Sequence, residues 1–248
     1  MRKLISIILF FAILSNSFAQ TKNSPLQISH LTGDFYVYKT FHDYKGTLIS
    51  ANAMYLVTDK GVVLFDAPWD VTQFQPLLDT IKARHNKEVV MCFATHSHED
   101  RAGGLEFYSK KGIKTYTIKL TDQILEKNKE PRAEFVIPND TTFTVGQHTF
   151  EVYYPGKGHA SDNIVVWFGK EKVLCGACFI KSVEAQDLGY LGDSDVKEWK
   201  KSIGKVKAKF KNPKYIIPGH EDWTNTESLN HTLKLVDEYL AQKSSRKK

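Results

Sequence analysis

Strand-like and helical segments alternate from one end of this chain to the other, which predicts an α/β or α+β domain with its sheets inside and its helices outside. Three observations carry the prediction. Short runs of β-branched and aromatic residues recur along the chain. The helical segments between them each show a single apolar stripe, which must pack against a sheet to be buried. No internal repeat, linker or low-complexity tract precedes the Lys-rich tail, so residues 20–248 are expected to form one domain.

The elements follow in order. Residues 34–40 (DFYVYKT) and 52–58 (NAMYLVT) read as strands, and Asp59-Lys60-Gly61 turns the chain into a third at 62–65. The polar stretch 41–50 (FHDYKGTLIS) exceeds a tight hairpin turn and is expected to be a mobile loop able to cover a site. After Pro68, Phe74, Leu77, Leu78 and Ile81 recur at helical spacing and lead into a buried strand at 89–94. Further helices are expected at 105–110, 120–127, 199–210 and 229–240, and further strands at 135–137, 142–145, 150–154, 164–168, 173–178 and 215–217.

Residues 1–19 place Arg2 and Lys3 before an apolar stretch that ends in small residues around Ala19, the pattern of a cleaved export signal. The stretch is shorter than the roughly 20 residues a membrane span needs, so the mature chain is expected to be free of the membrane, in the periplasm. The balance of 34 Lys+Arg against 28 Asp+Glu is mildly basic. The excess is spread along helical segments and the tail, which excludes a nucleic-acid stripe as the expected partner surface.

Chemistry concentrates where strands end. The strand 89–94 runs into Thr95-His96-Ser97-His98-Glu99-Asp100-Arg101, with three potential ligands at alternate positions. On spacing alone this is either a metal site or a polar surface loop. His159 after Gly158, Cys178 after Gly176-Ala177 and His220 after Gly219 stand at or just past other strand ends, where ligands would emerge on one rim of the sheets. Three cysteines in an exported chain also leave a thiol to explain, and metal ligation is one explanation.

Taken together, His96-Ser-His98-Glu-Asp100, Gly158-His159, Cys178 and Gly219-His220 resemble the metallo-β-lactamases whose second zinc is held by Asp, Cys and His. The flanking segments around Asn52, Asp66-Ala-Pro-Trp69, Arg101-Ala-Gly-Gly104, Asp162-Asn-Ile and Asp187-Leu-Gly-Tyr-Leu-Gly192 are similar too. The resemblance implies an αββα sandwich and two zinc ions, one on His96, His98 and His159, the other on Asp100, Cys178 and His220. It implies opening of the β-lactam ring of penicillins, cephalosporins and carbapenems by a zinc-bound hydroxide, and hence antibiotic resistance. Asp100 and Lys181 take catalytic roles in that scheme, with Lys181 binding the substrate carboxylate, and Tyr190 and Trp69 are substrate-binding candidates. The expected partners are small β-lactams, and the expected state is a monomer.

Tyr190 stands where many members of that family carry asparagine, so an amide donor is missing there. Cys175 and Cys178 form a C-x-x-C, but a redox motif needs a helix start where a strand is expected; as residues i and i+3 of a regular strand they would lie too far apart to bridge. A thioesterase on the same scaffold would typically carry His at position 101 and a bridging Asp, where this chain has Arg101 and Cys178. An exported zinc-storage protein would close its coordination sphere with four ligands. Asp66 reads as a buried acid supporting the metal loop or as a strand-terminal cap, and Trp69, Phe41, Tyr44 and Leu48 as candidates for an apolar wall, with core packing the alternative for an aromatic beside Pro68. His30, His42, His85, His148 and His231 are expected at the surface.

Overall fold

The computed structural model describes residues 25–245. The expected export signal lies outside the described residues. Within them, two sheets pack face to face. The first is an antiparallel meander, β1 (Leu26–Thr32), β2 (Phe35–Tyr44), β3 (Thr47–Thr58) and β4 (Gly61–Phe65), continued in parallel by β5 (Val89–Phe93), β6 (Lys114–Ile118) and β7 (Phe135–Ile137). The second sheet contains β8 (Thr141–Val145), β9 (His148–Tyr153), β10 (Val165–Phe168), β11 (Val173–Ala177) and β12 (Tyr215–Pro218), in the order β12-β11-β10-β9-β8. β11 and β12 run parallel.

An aromatic layer fills the space between the sheets. The ring of Phe65 meets Phe150 edge-on at 5.1 Å and Phe168 at 5.3 Å, and Phe93 meets Phe150 at 5.4 Å. Each of these rings is at most 1% exposed, and edge-to-face pairs of this kind add about 0.5–1.5 kcal/mol beyond area burial.

Helices cover the outer faces. Phe74, Leu77 and Ile81 of α1 (Phe74–His85) pack on Leu64 and Cys92, with Tyr108 of α3 (Leu105–Lys110) beside them. On the far side, Trp199, Ile203 and Val206 of α5 (Val196–Lys209) and Leu235 and Val236 of α6 (Ser228–Ser245) cover Val165, Leu174 and Ile216. The αββα layering expected from the resemblance is the observed architecture. Two short helices complete the fold, α2 (Glu99–Ala102) and α4 (Lys119–Asn128).

Three expectations are corrected. β1 and β6 are strands at positions where none is expected. The segment 41–50 is no loop: β2 and β3 stay paired out to Tyr44↔Thr47. Lys45 and Gly46, at φ +54° and +82°, make the two-residue turn, the positive-φ geometry that suits a right-twisted hairpin. Lastly, β11 is not regular. Its register with β12 shifts between Cys175 and Ala177, and Ala177 takes φ +44°. That is the local bend capable of bringing Cys175 towards Cys178, yet both thiols are free, as is Cys92.

Candidate metal centre

Six donors meet at one edge of the sandwich because the segments that carry them all leave the sheets there. His96, His98 and Asp100 follow β5, His159 lies between β9 and β10, Cys178 follows β11, and His220 follows β12. His98 Nδ1 lies 3.2 Å from both His96 Nε2 and His159 Nε2. Beside this trio, Cys178 Sγ lies 3.3 Å from Asp100 Oδ2 and 3.2 Å from His220 Nε2, and the carboxylate and imidazole are 3.5 Å apart.

The outward nitrogens decide what the inward ones present. His96 Nδ1 sits 3.3 Å from Thr95 Oγ1, which itself donates to Asp66 Oδ2 at 3.0 Å. His98 Nε2 faces Asp193 Oδ2 at 2.9 Å, and His220 Nδ1 faces the Ser50 carbonyl at 2.6 Å. Each of these outer partners can accept a hydrogen bond from the ring N–H, and a neutral ring then carries its lone pair on the inner nitrogen. His159 Nδ1 is buried without a partner. Lone pairs aimed at one another at 3.2 Å repel unless a cation lies between them, so the trio fits a metal ion. Nitrogen, sulfur and carboxylate donors are the set that zinc prefers.

Electrostatics keep most of the donors ready. Burial holds His96 and His159 well below the usual imidazole range, and pushes His220 down to about 4, so all three are neutral at neutral pH. Burial also works against a charge on His98, but the hydrogen bond and charge of Asp193 raise it. For Asp100 burial is outweighed by the guanidinium of Arg101 and the nearby imidazoles, which hold the carboxyl well below its ordinary value. Burial drives the Cys178 thiol well above its ordinary value, in keeping with its donation to Asp100. A metal bound there has to displace that proton, so loading releases acid.

The supports under the donors are buried. Asp66, at φ +73°, accepts from the Thr95 amide at 2.7 Å. Burial lifts its carboxyl to about 6 against the pull of Arg101 and Thr95. Asp162 accepts the Ser97 amide at 2.8 Å, between His96 and His98. Gly219 is required because a Cβ there would lie 2.7 Å from Cys178 Sγ and 2.6 Å from its amide nitrogen. Arg101 is 0% exposed and ties the Asn52 and Gly219 carbonyls to the carboxylates of Asp66 and Asp100.

The donors open into a cleft of about 1050 Å³ lined by Trp69, Leu48, Ile49, Lys181, Tyr190 and Glu221, among others. Lys181 is 8% exposed, unusual burial for a lysine, and its ammonium stands over the Trp199 ring at 5.6 Å. Among the described residues no carboxylate lies within ion-pair distance of it. Tyr190 is 61% exposed and meets His98 edge-on at 5.7 Å.

The other histidines do not all behave as expected. Only His30 is exposed; His148 is buried and bonded to Asp34 at 2.8 Å, His85 bonds the Tyr55 hydroxyl at 3.0 Å, and His231 faces the Ala185 carbonyl at 2.8 Å. His42 stacks on Trp69. Sequence also gave no role to Asp193, whose partner His98 lies 95 positions away.

Comparison with known proteins identifies the family. The Metallo-beta-lactamase superfamily matches residues 46–220. The metallo-beta-lactamase type 2 of Elizabethkingia meningoseptica is 48% identical over 224 residues, covering 90% of each chain. Metallo-beta-lactamase IND-1 of Chryseobacterium indologenes is 45% identical, covering 91% of this chain and 95% of its own. The crystal structure of metallo-beta-lactamase IND-7 superposes with a TM-score of 0.84 at 46% identity, covering 88% of this chain and all of that one. By its fold, by the donors gathered at one edge of its sheets and by these similarities, this chain belongs to the metallo-β-lactamase superfamily.

Proposed function

We propose that this chain is a zinc-dependent hydrolase that opens β-lactam rings and so confers antibiotic resistance. The observation that carries the proposal is the pair of adjoining donor triangles, His96/His98/His159 and Asp100/Cys178/His220, at the floor of a substrate-sized cleft. Each triangle would hold one zinc ion. When bound at a site with an open position, zinc supplies Lewis acidity and lowers the pKa of water to about 7.

The chain's own residues bind and orient. Lys181, buried and without an acidic partner among the described residues, receives the carboxylate common to bicyclic β-lactams. Asp193 fixes the ring of His98, and Arg101 keeps Asp100 ionised. Trp69, Leu48 and Ile49 form the apolar wall over the ring system. Tyr190 offers an aromatic edge and a hydroxyl in place of an amide, and contacts the substrate near His98. Arg101, walled in and engaged with four acceptors, takes no part as a metal donor, which argues against a thioesterase arrangement.

Penicillins, cephalosporins and carbapenems are the proposed substrates. The chain acts as a single domain over residues 20–248, as a monomer, in the periplasm after loss of residues 1–19. Among the described residues no helix is long and apolar enough to cross a membrane.

Purified, zinc-loaded protein is expected to hydrolyse a chromogenic cephalosporin; no turnover above the buffer blank would overturn the proposal. Lys181→Ala is expected to raise KM more than it lowers kcat, because a carboxylate contact made equally in ground and transition states is uniform binding. Steady-state kinetics on several substrates check this, and an unchanged KM would remove Lys181 from the binding site.

A further inference from the structure

Among the described residues, no strand pairs with the β2–β3 hairpin beyond Thr40. β1 accompanies β2 only as far as Leu26↔Thr40, and β4 pairs with β3 only from Met54↔Phe65 inward. Residues 41–50 are therefore a two-stranded ribbon projecting from the sheet, a structure that is marginal in water without further support. Its base is pinned where the Ser50 carbonyl meets His220 Nδ1 and Ser50 Oγ accepts the Glu221 amide at 3.2 Å.

Farther out, support comes from one face of β2. Thr40, His42 and Tyr44 alternate onto the same side of the strand, and all three reach Trp69. Thr40 Oγ1 accepts the Trp69 amide at 3.4 Å. The His42 ring stacks on the indole at 4.6 Å with an 18° interplanar angle, and the Tyr44 ring lies tilted at 6.1 Å. Trp69, held just past β4, meets His220 edge-on at 6.1 Å. Of the two ribbon rings, His42 has the closer and flatter contact, and its cross-strand partner is Ile49, next to Leu48 on the wall of the cleft.

We infer that His42 is a positioning residue: stacked on Trp69, it sets the angle of the ribbon and so holds Leu48 and Ile49 over the cleft. Rotating the ribbon away breaks the stack and withdraws both side chains together. The imidazole acts here as a flat ring, without metal or substrate contact of its own. Its effect on catalysis rests on the proposed β-lactam hydrolysis; its effect on the ribbon does not.

The test compares His42→Ala with His42→Phe in the full chain, read by amide hydrogen exchange and by cephalosporin kinetics, with zinc content and melting temperature as controls. In His42→Ala, exchange across 41–50 is expected to rise about three- to tenfold, the worth of one aromatic pair, while exchange in β9–β12 stays level. KM is expected to rise by a similar factor, with the larger share of the change in KM and not in kcat. His42→Phe is expected to restore both. Wild-type exchange across 41–50 in His42→Ala would overturn the inference, and so would a His42→Phe ribbon as loose as that of His42→Ala. If the protein turns over no β-lactam, the proposed function fails and the exchange measurement alone decides the role of His42.

Discussion

Stripping metal from the purified protein with a chelator is expected to reduce cephalosporin hydrolysis to the rate of the buffer blank, and zinc is expected to restore it. Among the described residues, the cleft offers no serine paired with a histidine base. Ser50 Oγ accepts the Glu221 amide and Ser182 Oγ accepts the Glu184 amide. Among the described residues no histidine is placed to take a proton from either hydroxyl, or from Ser97. A serine without such a base stays protonated and inert. The Cys178 thiol, pushed up by burial, carries too little thiolate at neutral pH to attack.

Stability should move with activity. A ligand that binds only the folded chain stabilises it by about 4.1 kcal/mol at a thousandfold excess over its Kd, and the six donors come together only in the folded state. Chelation is therefore expected to lower the unfolding midpoint, and zinc loading to release the Cys178 thiol proton. Urea unfolding before and after chelation, and proton release into a weakly buffered indicator solution on zinc addition, check both effects, beside turnover. Undiminished turnover in metal-free protein would sink the zinc mechanism.

How much of this was legible in the sequence depends on how far each relationship reaches along the chain. The trio at His96, His98 and Asp100 is local, set by alternate spacing just past a strand, and on its own reads either as a metal site or as a polar surface loop. His159, Cys178 and His220 could be placed because each follows a strand next to glycine, and the layered fold brings strand ends to one edge. Nothing local marks Asp193 as the partner of His98, or His42 as the partner of Trp69, since those contacts depend on how distant segments fold over the rim.

The ribbon at 41–50 was misread for a related reason. Both of its faces project beyond the sheet, so the hydrophobic alternation that announces a half-buried strand is absent there. Lys181 is the reverse case. Lysine is ordinarily exposed, and its burial follows from Trp199 and the turn after β11, which sequence does not show to be close to it.

Arg101 carries the second large effect. Arg101→Ala is expected to destabilise the chelated protein by about 3–5 kcal/mol, the range for breaking a buried charge pair by removing one partner. In the intact chain its guanidinium lies 3.0 Å from Asp100 and 3.4 Å from Asp66, and donates to the Asn52 carbonyl at 2.6 Å and the Gly219 carbonyl at 2.8 Å. Truncation leaves two buried carboxylates without a counter-charge and two carbonyls without a donor. The loss should also depend on pH, in a direction that can be worked out. Burial already raises the folded-state Asp66 carboxyl to about 6 against an ordinary 3.8, so stability falls as pH rises between those values. Without Arg101 the folded value climbs further, and the fall continues to higher pH. Asp100 adds to the same trend: Arg101 is the foremost group holding its carboxyl down, a contribution present above the ordinary carboxyl pKa and shrunken in the variant. The gap between variant and parent should therefore be wider at pH 8 than at pH 5. Arg101→Lys should fall between the two, since an ammonium keeps the charge but cannot span four acceptors. Urea unfolding of all three proteins at both pH values measures this. A loss below about 1 kcal/mol for Arg101→Ala, the ceiling for an exposed pair, or a gap that does not widen with pH, would show that Arg101 is not the counter-charge holding these two carboxylates beneath the metal site.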